Sequence, residues 1–156
     1  MAICLIDFDN TCVFSGSDNE YCTEDTGAAQ VLRKLVKNGH KLVLWTCRNS
    51  SKNNPYNYTT SGKYRDEDSL QEAKRWFKER RIPLFGINHV PGSEEVIGDS
   101  RKPLADFVID DTNIGTPIIK KTVDCIEYET GKITQRYLYC VDWKKIKKLL
   151  KERELI

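Results

Sequence analysis

The stretch ICLIDFDNTCVF, residues 3–14, places two acids, Asp7 and Asp9, one residue apart at the end of an apolar run. Ile3 to Ile6 has the wholly apolar pattern of a strand covered on both faces. The acids therefore sit where the chain leaves a buried sheet. An ionised carboxylate there loses several kcal/mol of hydration unless something pairs with it. A chain that keeps both acids needs a compensating positive charge, and Thr11 follows as a hydroxyl close by.

Further on, apolar strand-like runs alternate with helical patterns. Ala28, Leu32, Leu35 and Val36 mark a helix that Gly39 closes as a left-handed cap. KLVLWT (41–46) reads as the second strand. Ser69 opens another helix with Glu72 three residues on, a capping-box spacing, and Leu70, Ala73, Trp76 and Phe77 supply its buried stripe. LFGINHV (84–90), DFVIDD (106–111) and TPII (116–119) read as a third, fourth and fifth strand. This alternation predicts an α/β domain in three layers, a Rossmann-like parallel sheet with helices on both faces. The tail departs from it: residues 123–141 form a hairpin pattern turning at Thr130-Gly131, and a last helix begins after Asp142. One domain is expected over 1–156, with its core in 1–113 and the added strand, hairpin and helix in 114–156.

The chain has 156 residues and a net charge of +2, a balance that demands neither nucleic acid nor a membrane as partner. The lysines at 144, 145, 147, 148 and 151 read as a solvated helix face. No apolar stretch reaches the roughly 20 residues of a membrane span, and no basic segment precedes a long apolar core, so neither a membrane partner nor a secretory signal is expected. The six cysteines lack C-x-x-C spacing, which predicts reduced, mostly buried thiols in a cytoplasmic protein. His40 and His89 have no nucleophile paired with them in the pattern and read as surface or turn residues.

In an open parallel sheet, ligands bind beyond the carboxyl ends of the strands. Asp7, Asp9 and Thr11 follow the first strand, Thr46 ends the second, Asp110 and Asp111 end the fourth, and Lys102 precedes it. Four acids, a hydroxyl and an ammonium meeting at one sheet edge almost require a divalent cation, and an all-oxygen ligand set points to Mg²⁺. Taken singly, Asp110-Asp111 would suit a turn, Thr46 a cap and Lys102 solvent; their order along the chain is what carries weight.

That order resembles the haloacid dehalogenase superfamily. DFDNT (7–11) is similar to its D-x-D-x-T motif, Thr46 to its strand-end hydroxyl, Lys102 to its basic motif and IDD (109–111) to its closing acidic motif. The resemblance implies Asp7 as nucleophile toward phosphorus and Asp9 as acid and then base. It implies Thr46 and Lys102 as phosphate contacts, and Mg²⁺ held by Asp7, the Asp9 carbonyl and Asp110, with Asp111 behind. Asp9 matters most for the choice of chemistry, because relatives that cleave carbon–halogen bonds lack that acid. Phosphate-ester hydrolysis is therefore expected. Thr11, Cys47 and Arg48 are added as candidate phosphate or site contacts, Arg48 facing either the phosphate or a loop acid. Asn10 stands where many relatives have glycine, a place for left-handed backbone that Asn tolerates.

Neither insertion slot of the family holds a cap domain here. Asn49 to Asp68 is a long polar loop, and its Tyr56, Tyr58 and Tyr64, interleaved with Lys52, Lys63 and Arg65, suit a nucleotide or a nucleic-acid terminal phosphate. An uncapped site also leaves room for a homo-oligomer whose neighbour covers it. Two other readings compete. A phosphoacceptor module of the response-regulator type would end a middle strand in Asp, which LVLWTCR does not; a non-catalytic partner-binding relative would lack Asp7 or Asp9.

Overall fold

The computed structural model describes residues 1–16, 20–48, 69–98, 102–127 and 129–156. Its centre is a four-stranded parallel sheet of β1 (Ile3–Ile6), β3 (Lys41–Leu44), β4 (Gly86–Ile87) and β5 (Phe107–Ile109), in the order β4-β3-β1-β5. A second, antiparallel sheet holds β2 (Glu20–Cys22), β6 (Ile118–Glu127) and β7 (Ile133–Val141), in the order β2-β6-β7. The helices are α1 (Ala28–Lys37), α2 (Ser69–Glu79), the single-turn α3 (Glu94–Ile97) and α4 (Trp143–Glu152). Among the described residues no helix is long and apolar enough to cross a membrane.

Strand alternation explains the layers. Cys4, Ile6, Leu42 and Leu44 point to one face, where they pack with Leu32 and Leu35 of α1, Ala73 and Phe77 of α2, and Ile146 and Leu150 of α4. Leu5 and Val43 point to the other, where Val90, Phe85 and Ala105 cover them. Two parallel crossovers, β1 to β3 and β3 to β4, step in the same direction, so right-handed connection puts α1 and α2 on one face. The chain then returns past β1 to β5, and that return, with α3 inside it, covers the opposite face. Because β1 has its two sheet neighbours reached by connections of opposite direction, the carboxyl end of β1 is the switch point where a crevice opens. Asp7 stands there, and its amide donates to the Ile109 carbonyl at 3.0 Å.

Several sequence-based boundaries shift. TPII does not make a fifth parallel strand: from Ile118 it belongs to β6, the first arm of the hairpin, whose turn contains Gly131 at φ 68°. The loop expected between Ser15 and Asp25 contains β2, invisible locally because its partner β6 lies about a hundred residues away. The third strand shrinks to Gly86–Ile87. A Cβ at Gly86 would lie 2.2 Å from the His89 carbonyl oxygen, so the chain already doubles back there. Helix α4 begins where expected, with Asp142 accepting from the Lys144 and Lys145 amides. Asn49 to Asp68, with its tyrosines and basic residues, lies outside the described residues.

Candidate active site

Beyond the carboxyl ends of β1, β3 and β5 lies a cavity of about 260 Å³ lined by Asp7, Asp9, Asn10, Thr46, Cys47, Arg48, Asp110, Asp111 and Thr112. The four acids expected to meet therefore do meet, together with Thr46, Cys47 and Arg48. A larger hollow of about 440 Å³ between β5 and α4 is lined by apolar groups such as Val108, Leu149 and Leu150 and holds no acid.

The loop that sets the acids is built on Asn10. Its φ is 53°, the left-handed conformation expected at this place, and its Oδ1 accepts from the Ser15 amide at 3.2 Å. Amides of Thr11, Cys12 and Val13 all turn back on the Phe8 carbonyl, at 3.3, 2.8 and 3.2 Å. The Asn10 carbonyl receives the Val141 amide at 2.9 Å, and Trp143 Nε1 donates to the Thr11 carbonyl at 2.7 Å. The C-terminal hairpin and helix thus brace the acid loop from behind.

Thr11, expected as a phosphate contact, is fully buried. Its side chain hydrogen-bonds the Asp7 carboxylate and accepts from the Asp111 amide at 3.2 Å. One hydroxyl thereby ties the end of β1 to the end of β5.

Asp7, Asp110 and Asp111 each present a carboxylate oxygen, and these oxygens lie within 4.8 Å of one another. Burial pushes the Asp7 carboxyl up from 3.8 to about 7, with the charges of Asp110 and Asp9 adding to the rise and the Phe8 amide and Thr11 hydroxyl opposing it. Asp111 is raised as well, by burial and then by Asp110. Asp110 is fixed by Thr112, whose amide and hydroxyl donate to its Oδ1 at 2.8 and 2.6 Å. Three hard oxygen ligands packed this closely fit a divalent cation.

Asp9 lies in a different environment. Arg48 grips it with a fork, Nε to Oδ2 at 2.8 Å and Nη2 to Oδ1 at 2.7 Å, while Ser15 Oγ donates to Oδ1 at 2.6 Å. Burial alone would raise this carboxyl, but the hydrogen bonds and charge of Arg48 hold it below the ordinary value. Arg48 also donates through Nη1 to Glu72 Oε2 at 2.7 Å and to the Ser69 carbonyl at 3.2 Å, and its guanidinium sits 4.6 Å from the Phe8 ring centre. Arg48 is only 4% exposed. Of the two partners weighed for it, the acid of the loop after β1 is the one it meets here, and Arg48 also lines the cavity.

Thr46 is held by a residue that sequence reasoning missed. Asn88, at φ 50°, accepts from the Thr46 amide at 2.7 Å and donates to its carbonyl at 2.9 Å. The Thr46 hydroxyl oxygen accepts from the Arg48 amide at 3.2 Å, which leaves the hydroxyl proton for an acceptor in the cavity. Cys47 is exposed at the rim. Lys102 is exposed before β5 and does not line the cavity. His40 accepts from the Ala2 amide and His89 pairs with Glu94, both away from the acids.

No family model matches the chain, and no curated protein matches it. Among solved structures it is similar to a conserved protein from Bacteroides thetaiotaomicron, at 25% identity and a TM-score of 0.60, over 97% of this chain and 91% of the other. That likeness spans nearly the whole chain and bears on the α/β fold.

Proposed function

We propose that the chain is a Mg²⁺-dependent phosphatase that hydrolyses a phosphate monoester through an aspartyl-phosphate on Asp7. The supporting observation is the convergence of Asp7, Asp110 and Asp111 within 4.8 Å at the switch point of the sheet, beside an acid at position 9. Mg²⁺ held by Asp7, Asp110 and Asp111, with the Asp9 carbonyl, would neutralise these carboxylates and draw charge from the phosphoryl oxygens.

In this reading an Asp7 oxygen attacks phosphorus and the ester P–O bond breaks, with Asp9 delivering a proton to the leaving oxygen. Water then attacks the same phosphorus, Asp9 takes its proton, and the Asp7 O–P bond breaks to release phosphate. The Thr46 hydroxyl donates to a phosphoryl oxygen throughout. Thr11 and Arg48 position Asp7 and Asp9. Lys102, outside the cavity lining, contributes attraction of an anionic substrate toward the crevice. Held ionised by Arg48, Asp9 is ready for the base half of the cycle, whereas the acid half requires it to acquire a proton and loosen from the fork.

That same fork favours one second reading, a phosphoacceptor whose aspartyl-phosphate persists because Asp9 stays engaged. Incubation with an aryl phosphate and Mg²⁺ separates the two. Hydrolysis gives steady release of both the aryl alcohol and phosphate, abolished by EDTA and by Asp7→Asn; a phosphoacceptor releases one equivalent of aryl alcohol per chain, keeps the phosphoryl group on Asp7 and then stops; no aryl alcohol from the native protein contradicts both. A nucleotide or nucleic-acid end as substrate rests on the 49–68 sequence, and unchanged relative rates across a phosphate-ester panel after its removal would contradict it.

A further inference from the structure

We propose that Cys22 and Cys125 are a redox-active dithiol that closes to a disulfide between β2 and β6, pinning the strand that supports the acid loop. The two residues are directly opposite in the antiparallel register, so their side chains share one face of the sheet. Their sulfurs are in contact at 2.6 Å. A disulfide needs opposed Cα atoms within about 7 Å and convergent side chains, both of which this register supplies without strand movement. Of the remaining cysteines, Cys4, Cys12 and Cys140 are buried and Cys47 is exposed at the cavity rim.

The surroundings connect this pair to the proposed site. β2 has three residues and, among the described residues, pairs with β6 alone, the kind of short edge strand that opens locally. Its fastening comes from Glu20, which takes the Arg136 fork and the Thr134 hydroxyl, Nη2 at 2.8 Å and Oγ1 at 2.9 Å. Gly16 packs against this strand so closely that a Cβ there would meet Glu20 Cβ at 3.2 Å and Cys22 Sγ at 3.6 Å. The preceding Ser15 donates its hydroxyl to Asp9. A covalent bond at Cys22 would therefore fix the platform from which Ser15 reaches Asp9.

The oxidant is a small disulfide of the glutathione class. Cys22, the half-buried member, attacks one of its sulfurs as thiolate, forming a mixed disulfide and releasing one thiol. Cys125, fully buried behind it, then attacks the Cys22 sulfur and expels the second thiol. Two protein thiols are oxidised, one small disulfide is reduced, and the two protons leave on the departing thiols. Burial, Cys125 and the neighbouring Glu20 and Glu24 push the Cys22 thiol up, so the closure is slow and quickens with pH.

The test is a peptide map of the native full chain after oxidised glutathione at mildly alkaline pH, alkylated and digested without reductant. The expected result is a linked pair of peptides carrying Cys22 and Cys125, lighter by two hydrogens and separated by reductant. Hydrogen exchange at the Tyr21 and Cys22 amides should slow in the oxidised protein, and its melting point should rise by several degrees. Cys22→Ser and Cys125→Ser should each remove the link and the rise. Exposed Cys47 reports that the oxidant has acted. If Cys47 is modified while Cys22 and Cys125 are recovered alkylated, or carry separate glutathione adducts, the proposal is overturned. The map in the unmutated chain decides this even where a variant folds poorly, and it does not depend on catalysis.

Discussion

The two halves of the cavity handle the same chemical problem in opposite ways. Around Asp7, three carboxylates crowd together and burial drives the Asp7 carboxyl up to about 7. Around Asp9, two residues along the chain, a buried guanidinium forks onto the carboxylate and drives it down. One half gathers three carboxylates against one another, and the other is neutralised from within by Arg48, itself steadied by Glu72. The difference bears on where the proposed cation would sit: among the stacked acids rather than at the carboxylate that Arg48 already neutralises.

Asymmetric damage should follow from substitutions in the two halves. Asp7→Asn should lose on the order of 10⁴-fold or more of phosphate release, since no nucleophile remains. Asp9→Asn should lose about 10²–10⁴-fold, the range for a lost acid–base group, as read from initial rates with an aryl phosphate. Equal losses would break the division of labour.

Arg48→Ala strands Asp9 and Glu72 without their shared counter-charge and should cost about 3 kcal/mol in denaturant unfolding. Arg48→Lys should recover only part of this, because an ammonium cannot supply the fork. On the other side, Thr11→Val removes both the donor to Asp7 and the acceptor of the Asp111 amide. Its methyl group replaces neither bond, so the same unfolding measurement should show a loss of about 1–3 kcal/mol.

A separate effect is in pH dependence, and its sign differs between the halves. Asp7 in the metal-free fold binds its proton more tightly than in the unfolded chain, so its contribution to stability is fully present below 3.8 and is lost as pH rises through about 7. Asp9, held below its ordinary value, contributes stability above that value, lost as pH falls through its folded pKa. Thermal melts in EDTA should therefore show a decline toward neutral pH that Asp7→Asn flattens and Asp9→Asn leaves in place.

Much of the parallel sheet was legible because its strands are short apolar runs ending in chemistry. Ile3–Ile6 is a strand as read, and the acids at 7, 9, 110 and 111 share one cavity as expected. What sequence left hidden are pairings made across the fold. β2 forms only because β6 reaches it. Glu72 has capping-box spacing, but nothing local marks its Oε2 as the acceptor for Arg48, which comes from beyond the end of β3. Asn88 carries no local mark of its grip on both sides of Thr46, which exists only once β3 and β4 lie side by side. The orientation of Arg48 was undecided in the sequence for the same reason: its acceptors come from the loop after β1 and from α2.

The most direct measurement is a thermal melt at neutral pH of EDTA-treated protein titrated with MgCl₂, beside Asp110→Ala. The unmutated chain should gain stability with rising Mg²⁺ along a saturable curve, and Asp110→Ala should gain little or none. Indifference of the unmutated chain to Mg²⁺, or an equal gain in the variant, would contradict a cation held by Asp7, Asp110 and Asp111.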